Sequence, residues 1–288
     1  MNPPHTSLSA SIMAWAAMTI ALVVAGYTYV RDRGEQRPTG TTSVLQRVSG
    51  SNQLRAGFIV NSPQVSRDAK TSELSGYHYD LLKKLATEGG FEVAFEETTF
   101  STMVAALNSH NVDVVIGGGS ESIPRAMEVS FTDPIMILGL GYIARSDDPR
   151  FQSVADLSRP GIKVAVTAGG ASAEYQKEYM PQAEPVILAR SELARIVLEV
   201  TSGRADIGIG NVNNCLRFEK EQPNIRFVTK GKPFYRFTSG FVVRHGDPEW
   251  LQFLNSSIRN LQTNGFTDRL EAKYNPDGML WTPIKLPR

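Results

Sequence analysis

From residue 54 onward, short apolar runs alternate with segments whose apolar residues recur three and four apart. The run at 54–60 and the alternating positions of 91–95 predict strands. Between them 79–86 has helical spacing and closes at Gly89-Gly90, a pair suited to the left-handed turn that ends helices. A helix over 100–107 and a buried strand over 112–116 follow. After Pro160-Gly161 the pattern restarts with strand 162–167, helix 172–179, strand 186–188, helix 192–201 and strand 205–209. Strands separated by single helices predict right-handed βαβ units in largely parallel sheets, an α/β fold. Trp250, Phe253, Leu254 and Ile258 have the spacing of a core-facing helix, and Tyr175 and Tyr179 read as core packing in the same way.

One stretch echoes another. Ser109-His110-Asn111-Val112-Asp113-Val114-Val115-Ile116-Gly117 aligns with Ser202-Gly203-Arg204-Ala205-Asp206-Ile207-Gly208-Ile209-Gly210, with Ser, Asp, Ile and Gly identical. Any two helix-to-strand junctions share some of this pattern; two similar α/β lobes are the better explanation. Ligands of open α/β sheets bind beyond the carboxyl ends of strands, so the residues after Gly117 and Gly210 should face each other across a cleft.

The amino terminus is different in kind. No Asp, Glu, Lys or Arg precedes Arg31, and 12–30 is almost continuously apolar. As a helix that run would be roughly 28 Å long, about the thickness of a bilayer core. It reads as a transmembrane anchor or a secretory signal, following a tail over 1–11. It has neither the basic start nor the A-x-A-like exit of a cleaved signal, and Tyr27, Tyr29 and Arg31 form an interfacial belt. Arg31, Arg33 and Arg37 follow the span, the opposite of what the positive-inside rule expects of an exported chain. Residues 31–44 read as a linker.

Charge and rare residues narrow the chemistry. With 30 Lys+Arg against 29 Asp+Glu in 288 residues, the chain carries no basic footprint for nucleic acid. One cysteine, Cys215, excludes an intrachain disulfide and a thiolate zinc cage, and it reads as a small buried hydrophobe. The four histidines lack metal-site spacing, and His78 and His110 read as solvated loop residues. Neither a metal nor a cofactor is implied.

The segment after Gly117 carries the most chemistry. In Gly118-Gly119-Ser120-Glu121-Ser122-Ile123-Pro124-Arg125, Ser122 is a suitable helix cap and Pro124 fits a first turn. Arg125 then sits where a cation opposes the helix dipole, at a cost of a few tenths of a kcal/mol, roughly. A bound anion would offset that cost, and a guanidinium fork fits a carboxylate well. Solvation, or a bridge to Glu121 or Glu128, is the plainer alternative. In the second half, Ala168-Gly169-Gly170-Ala171-Ser172 joins a strand to a helix and can present free amides to an anion.

Leu54-Arg55-Ala56-Gly57, Glu73-Leu74-Ser75-Gly76 with Asp80, Ser122-Ile123-Pro124-Arg125 before Phe131-Thr132-Asp133-Pro134, Gly203-Arg204-Ala205-Asp206, and Gly246-Asp247-Pro248-Glu249-Trp250 leading to Asp268-Arg269-Leu270 occur in a telling order. Over about 45–274 the chain resembles the family-3 extracytoplasmic solute-binding proteins, amino-acid-binding partners of ABC importers. The resemblance implies a type II periplasmic-binding-protein fold with two α/β lobes, a two-stranded hinge and an interlobe cleft. Lobe 1 would be 45–143 with 241–275, lobe 2 would be 144–240, and 276–288 a C-terminal tail. It further implies a periplasmic location, ABC permease subunits as partners, and a small carboxylate or amino acid as ligand.

Carried over by position, Arg125 corresponds to the arginine that clamps a ligand α-carboxylate, assisted by Gly118 and Ser120. Gly170 and Ala171 stand where hydroxyl residues are usual, and Asn211 where an Asp commonly meets the α-ammonium. Ser62 and Val65 replace aromatics that often cover the ligand. A ligand without a standard α-ammonium, or another acidic residue such as Glu73 or Glu121, would reconcile these departures.

Two alternatives accompany the importer reading: a membrane-tethered sensing domain, and an enzyme similar to periplasmic cyclohexadienyl dehydratases. The onset Phe151-Gln152-Ser153 and the Gly169-Gly170 turn are similar to those enzymes. The position of their catalytic carboxylate, however, falls on Ala173. Glu174, one residue along, is expected to be rotated by about 100° and to face elsewhere.

Overall fold

The structure, a computed structural model, describes residues 42–189, 193–230 and 232–284. The apolar run 12–30 lies outside them, as does most of the linker. Among the described residues no helix is long and apolar enough to cross a membrane.

The first half opens with helix α1 (Val44–Ser51) and strand β1 (Gln53–Phe58). Helix α2 (Tyr77–Gly89) ends on Gly90 in the left-handed conformation, as the glycine pair predicted. Strand β2 (Glu92–Glu97), helix α3 (Met103–Asn108) and strand β3 (Val114–Ser120) complete a block in which β2 and β3 flank β1, both parallel to it. A single-turn helix α4 (Ile123–Ala126) leads to the long strand β4 (Met136–Arg145).

The second half repeats the plan. Strand β5 (Lys163–Thr167), helix α5 (Ala171–Tyr179), strand β6 (Glu184–Leu188), helix α6 (Leu193–Thr201) and strand β7 (Ile207–Asn211) follow in order. Strands β6 and β7 flank β5, again in parallel. Helix α7 (Val212–Glu221) and strand β8 (Ile225–Phe227) precede a second long strand, β9 (Tyr235–Val243).

The two blocks share one sheet of order β2-β1-β3-β9-β4-β7-β5-β6. β4 and β9 run antiparallel to each other and to their outer neighbours. The expectation of largely parallel sheets therefore holds only within each block. Met136-Ile137-Leu138-Gly139-Leu140 is a continuous apolar run in a strand covered on both faces, so it lacks the alternation that marks a half-exposed strand.

Three apolar clusters hold the elements. The largest includes Leu54, Leu81, Ile116 and Trp250. A second, with Ile143, Ile196, Val200 and Phe227, lies beneath α6 and α7, and a third joins Ile59, Met103, Leu107 and Val115. Helix α8 (Pro248–Thr263) is capped by Asp247, whose Oδ1 accepts from the Trp250 amide at 3.1 Å. It buries Trp250, Leu254, Ile258 and Leu261 along one stripe. Helix α9 (Phe266–Tyr274) follows. In the segment expected as a tail, Trp281 is buried and strand β10 (Thr282–Pro283) pairs with β4.

Cys215 is buried as expected, and burial pushes its thiol up. The expectation for His78 is overturned. It is wholly buried, its Nδ1 accepts from the Gly117 amide at 3.2 Å, and burial pushes its pKa down to about 3. His78 lies one residue into α2, on the face that also buries Leu81, Leu82 and Leu85. Tyr175 and Tyr179 stack on each other and lean on Phe234 and Tyr235, with Tyr179 half outside.

Candidate ligand-binding site

Strand β3 is buried along its whole length and delivers Gly117 to Ser120 to the carboxyl edge of its block. Asn61 donates from Nδ2 to the Gly117 carbonyl at 3.1 Å, while His78 receives the Gly117 amide, so both polar groups of that residue are held. Ser122 then caps α4, its Oγ accepting from the Arg125 amide at 3.4 Å, and Pro124 occupies the first turn.

Arg125 is 7% exposed. Its Nη1 donates to the carbonyl and the Oγ of Ser120. Its Nη2 donates to the Gly169 carbonyl at 2.7 Å and to Glu174 Oε1. The last two partners belong to the second half, so the guanidinium bridges the two blocks. Burial pushes its pKa below the ordinary arginine value, and the Glu174 carboxylate opposes that shift.

Two expectations are corrected here. The ion-pair partner of Arg125 is Glu174, neither Glu121 nor Glu128; Glu121 accepts instead from Thr238 Oγ1 at 2.6 Å. Nor does Glu174 face away. Gly170 caps α5, which puts Glu174 in the first turn, where an acidic group suits the positive end of the helix. From there two long side chains meet, whatever the one-residue offset between Ala173 and Glu174.

Beside this pair lies a cavity of about 40 Å³, lined by Gly170, Ala171 and Asn211 together with Asn61, Phe100 and Asn214. Arg125 and Ser120, bonded to each other, are not part of that lining and meet it through Gly169, the neighbour of Gly170. Gly118 joins neither group: it is buried in β3, where a Cβ would come within 2.2 Å of Ile59 Cδ1. Ser62 and Val65 also lie outside the lining. The Ser62 carbonyl accepts from Asn213 Nδ2 at 2.6 Å, and Val65 is core. At Gly169 the halves come close: its φ is +66°, and an added Cβ would lie 2.9 Å from the Phe100 and Ser101 backbone, so no side chain fits.

Sequence reasoning missed Asn61, Phe100, Asn214 and Glu174. The strand-end rule applied after Gly117 and Gly210 would have found the first two, since Asn61 and Phe100 lie just past the carboxyl ends of β1 and β2.

Residues 54–277 match the bacterial extracellular solute-binding proteins, family 3. The chain belongs to this family. The arginine-binding extracellular protein ArtP of Bacillus subtilis (strain 168) is 26% identical over 200 residues, spanning 69% of this chain and 77% of that protein. The L-cystine-binding protein TcyJ of Escherichia coli (strain K12) is 24% identical over 232 residues, 80% and 85% of the two chains. Among solved structures, the ancestral amino acid-binding protein AncCDT-1, a precursor of cyclohexadienyl dehydratase, matches with a TM-score of 0.72 and 30% identity, covering 81% of this chain and 99% of that one. The α/β architecture is therefore that of the type II periplasmic-binding proteins, and the family's role is extracytoplasmic solute binding.

Proposed function

We propose that this chain is the amino-acid-binding component of an ABC importer. It closes lobe 1 (45–143 with 241–275) on lobe 2 (144–240) around a small ligand bearing a carboxylate. The observation that carries this reading is Arg125, a buried guanidinium that bridges the two blocks and bonds the Gly169 carbonyl, next to the cavity-lining Gly170. A buried cation needs an anion, and a carboxylate satisfies a guanidinium through two parallel bonds. Ser120 supports the clamp with its carbonyl and Oγ, Gly170 and Ala171 line the cavity at the start of α5, and Asn211 offers a side-chain amide to the rest of the ligand. Relatives named for arginine and cystine binding make amino acids the first class to test. The apolar 12–30 segment would hold the protein at the membrane near its permease.

Thermal shift of the full-length chain in detergent, against amino acids and keto acids, is the test. A ligand at 100 times its Kd stabilises by about 2.7 kcal/mol, raising the melting temperature by about 5–10 °C for a chain of this size. Arg125→Ala should abolish the shift. A shift that persists undiminished in this variant sinks the carboxylate clamp.

A dehydratase is the second reading, favoured by the Glu174 carboxylate inside the cleft. A general acid must carry a proton to give, whereas contact with a guanidinium suits the anion. Conversion of a cyclohexadienyl acid to an aromatic product, followed by ultraviolet absorbance and lost in Glu174→Gln, would establish it over binding alone.

A further inference from the structure

Glu174 occupies the fork that the proposed ligand needs. We propose that it is an internal ligand of the Arg125 clamp, a specificity residue that any incoming carboxylate must displace. The inference rests on the binding-protein reading above.

The charges at the clamp point this way. Of the groups bonded to the Arg125 guanidinium, Ser120 and the Gly169 carbonyl are neutral, and Glu174 alone is an anion. The two partners differ in freedom. Arg125 is 7% exposed on its side chain and fixed on both sides, whereas Glu174 is 37% exposed and lies on a helix edge open to water. Glu174 can swing out and regain its hydration; Arg125 cannot. A buried guanidinium left without an anion is costly, so the clamp passes from one carboxylate to another and is never left empty.

The shape of the site agrees. With Glu174 in place, the adjoining cavity of about 40 Å³ has room for only a few water molecules. A bound amino acid therefore requires the two halves to separate and Glu174 to leave. The pair crosses from α4 to α5, so the contact that blocks the ligand also draws the halves together. Only ligands whose other groups gain enough from the cleft, beyond the carboxylate itself, can displace an equivalent carboxylate already there. Acetate-like acids would exchange one carboxylate for another with little gain. Apparent affinity is lowered by the fraction of molecules in which Glu174 holds the clamp.

The test uses the full-length chain in detergent, as wild type and Glu174→Gln, with L-arginine and L-glutamine as calorimetric probes. Loss of the competing charge should tighten binding of whichever probe binds, by about tenfold. Unchanged or weaker binding in Glu174→Gln overturns the proposal while leaving the binding-protein reading intact. If neither probe binds either form, that reading loses its support, and a ligand-free distance decides the present one. Spin labels on Met127→Cys and Ile187→Cys suit this, because both positions are exposed and Cys215 is buried. A longer mean label distance in Glu174→Gln upholds the internal ligand; an unchanged distance overturns it.

Discussion

The two aspartates of the internal echo do the same work in different surroundings. The Asp113 amide donates to the Arg55 carbonyl at 2.8 Å, and its carboxylate accepts from the Arg55 amide at 3.0 Å. The Asp206 amide donates to the Lys163 carbonyl at 2.8 Å, and its carboxylate accepts from the Lys163 amide at 2.8 Å. Each aspartate thus ties the turn before one strand to the start of its neighbour and draws in an arginine: Arg47 and Arg55 in the first half, Arg150 in the second. They differ in burial. The Asp113 side chain is fully buried, and the indole of Trp250 also donates to its backbone carbonyl at 3.1 Å. Asp206 remains 22% exposed and shares Arg150 with Asp148. The strand ends differ likewise: the Gly117 amide donates to a buried imidazole, whereas the Gly210 carbonyl accepts from the Cys215 thiol at 3.8 Å. A repeated sequence carries a repeated joint, buried in the first half and partly exposed in the second.

The largest expected effect would separate the halves by pH. His78 stays neutral in the folded protein down to about 3, against an ordinary 6.5. Its contribution is therefore complete above about pH 6.5 and is lost as the pH falls toward 3, at up to about 1.4 kcal/mol per unit. Urea denaturation should show the protein about 3 kcal/mol less stable at pH 4 than at pH 7 from this group. His78→Gln, which keeps an acceptor for the Gly117 amide, should flatten that slope. Parallel slopes would mean that the imidazole is already hydrated in the folded state.

Next comes Asp113→Asn, which leaves two arginines facing a neutral amide. Because those arginines are about a third exposed, the expected loss is about 2–3 kcal/mol by urea denaturation. Desolvation raises the Asp113 pKa, and the hydrogen bonds and charges of Arg55 and Arg47 outweigh it, leaving the carboxyl below the usual range. This contribution is present above about pH 4 and is lost on further acidification, so Asp113→Asn should also be less acid-sensitive there. Gly169→Ala follows, at about 1–2 kcal/mol, since its left-handed backbone and the facing Phe100–Ser101 chain both resist a methyl group. It should also weaken ligand binding. Asp206→Asn should cost least, about 1 kcal/mol or less. Equal losses for the two aspartate variants would break the comparison.

Much of the architecture was legible because each element announces itself locally. The glycine pair after α2, the stripe on α8 and the Ser122 cap depend on neighbours within a few residues. The antiparallel pair β4 and β9 was harder, because full burial erases the alternation by which a strand is read. His78 was misread for a related reason: a single polar residue beside Tyr77 and Leu81 looks solvated until the Gly117 amide is seen to need an acceptor.

At the site, Arg125 and the Gly169-Gly170 turn could be chosen from helix-dipole and loop chemistry, which act within one turn of chain. The sequence alone determined most of the elements outside β4 and β9, the internal repeat and the choice of Arg125 as a candidate, since periodicity, caps and glycines are properties of short segments. Only the tertiary structure decided that Glu174 answers Arg125 and that Asn61, Phe100 and Asn214 close the cavity. Those residues come from strand ends far apart in the chain. Their meeting depends on how two α/β blocks turn toward each other across β4 and β9, and a side chain several bonds long reaches a partner that no spacing along the chain encodes.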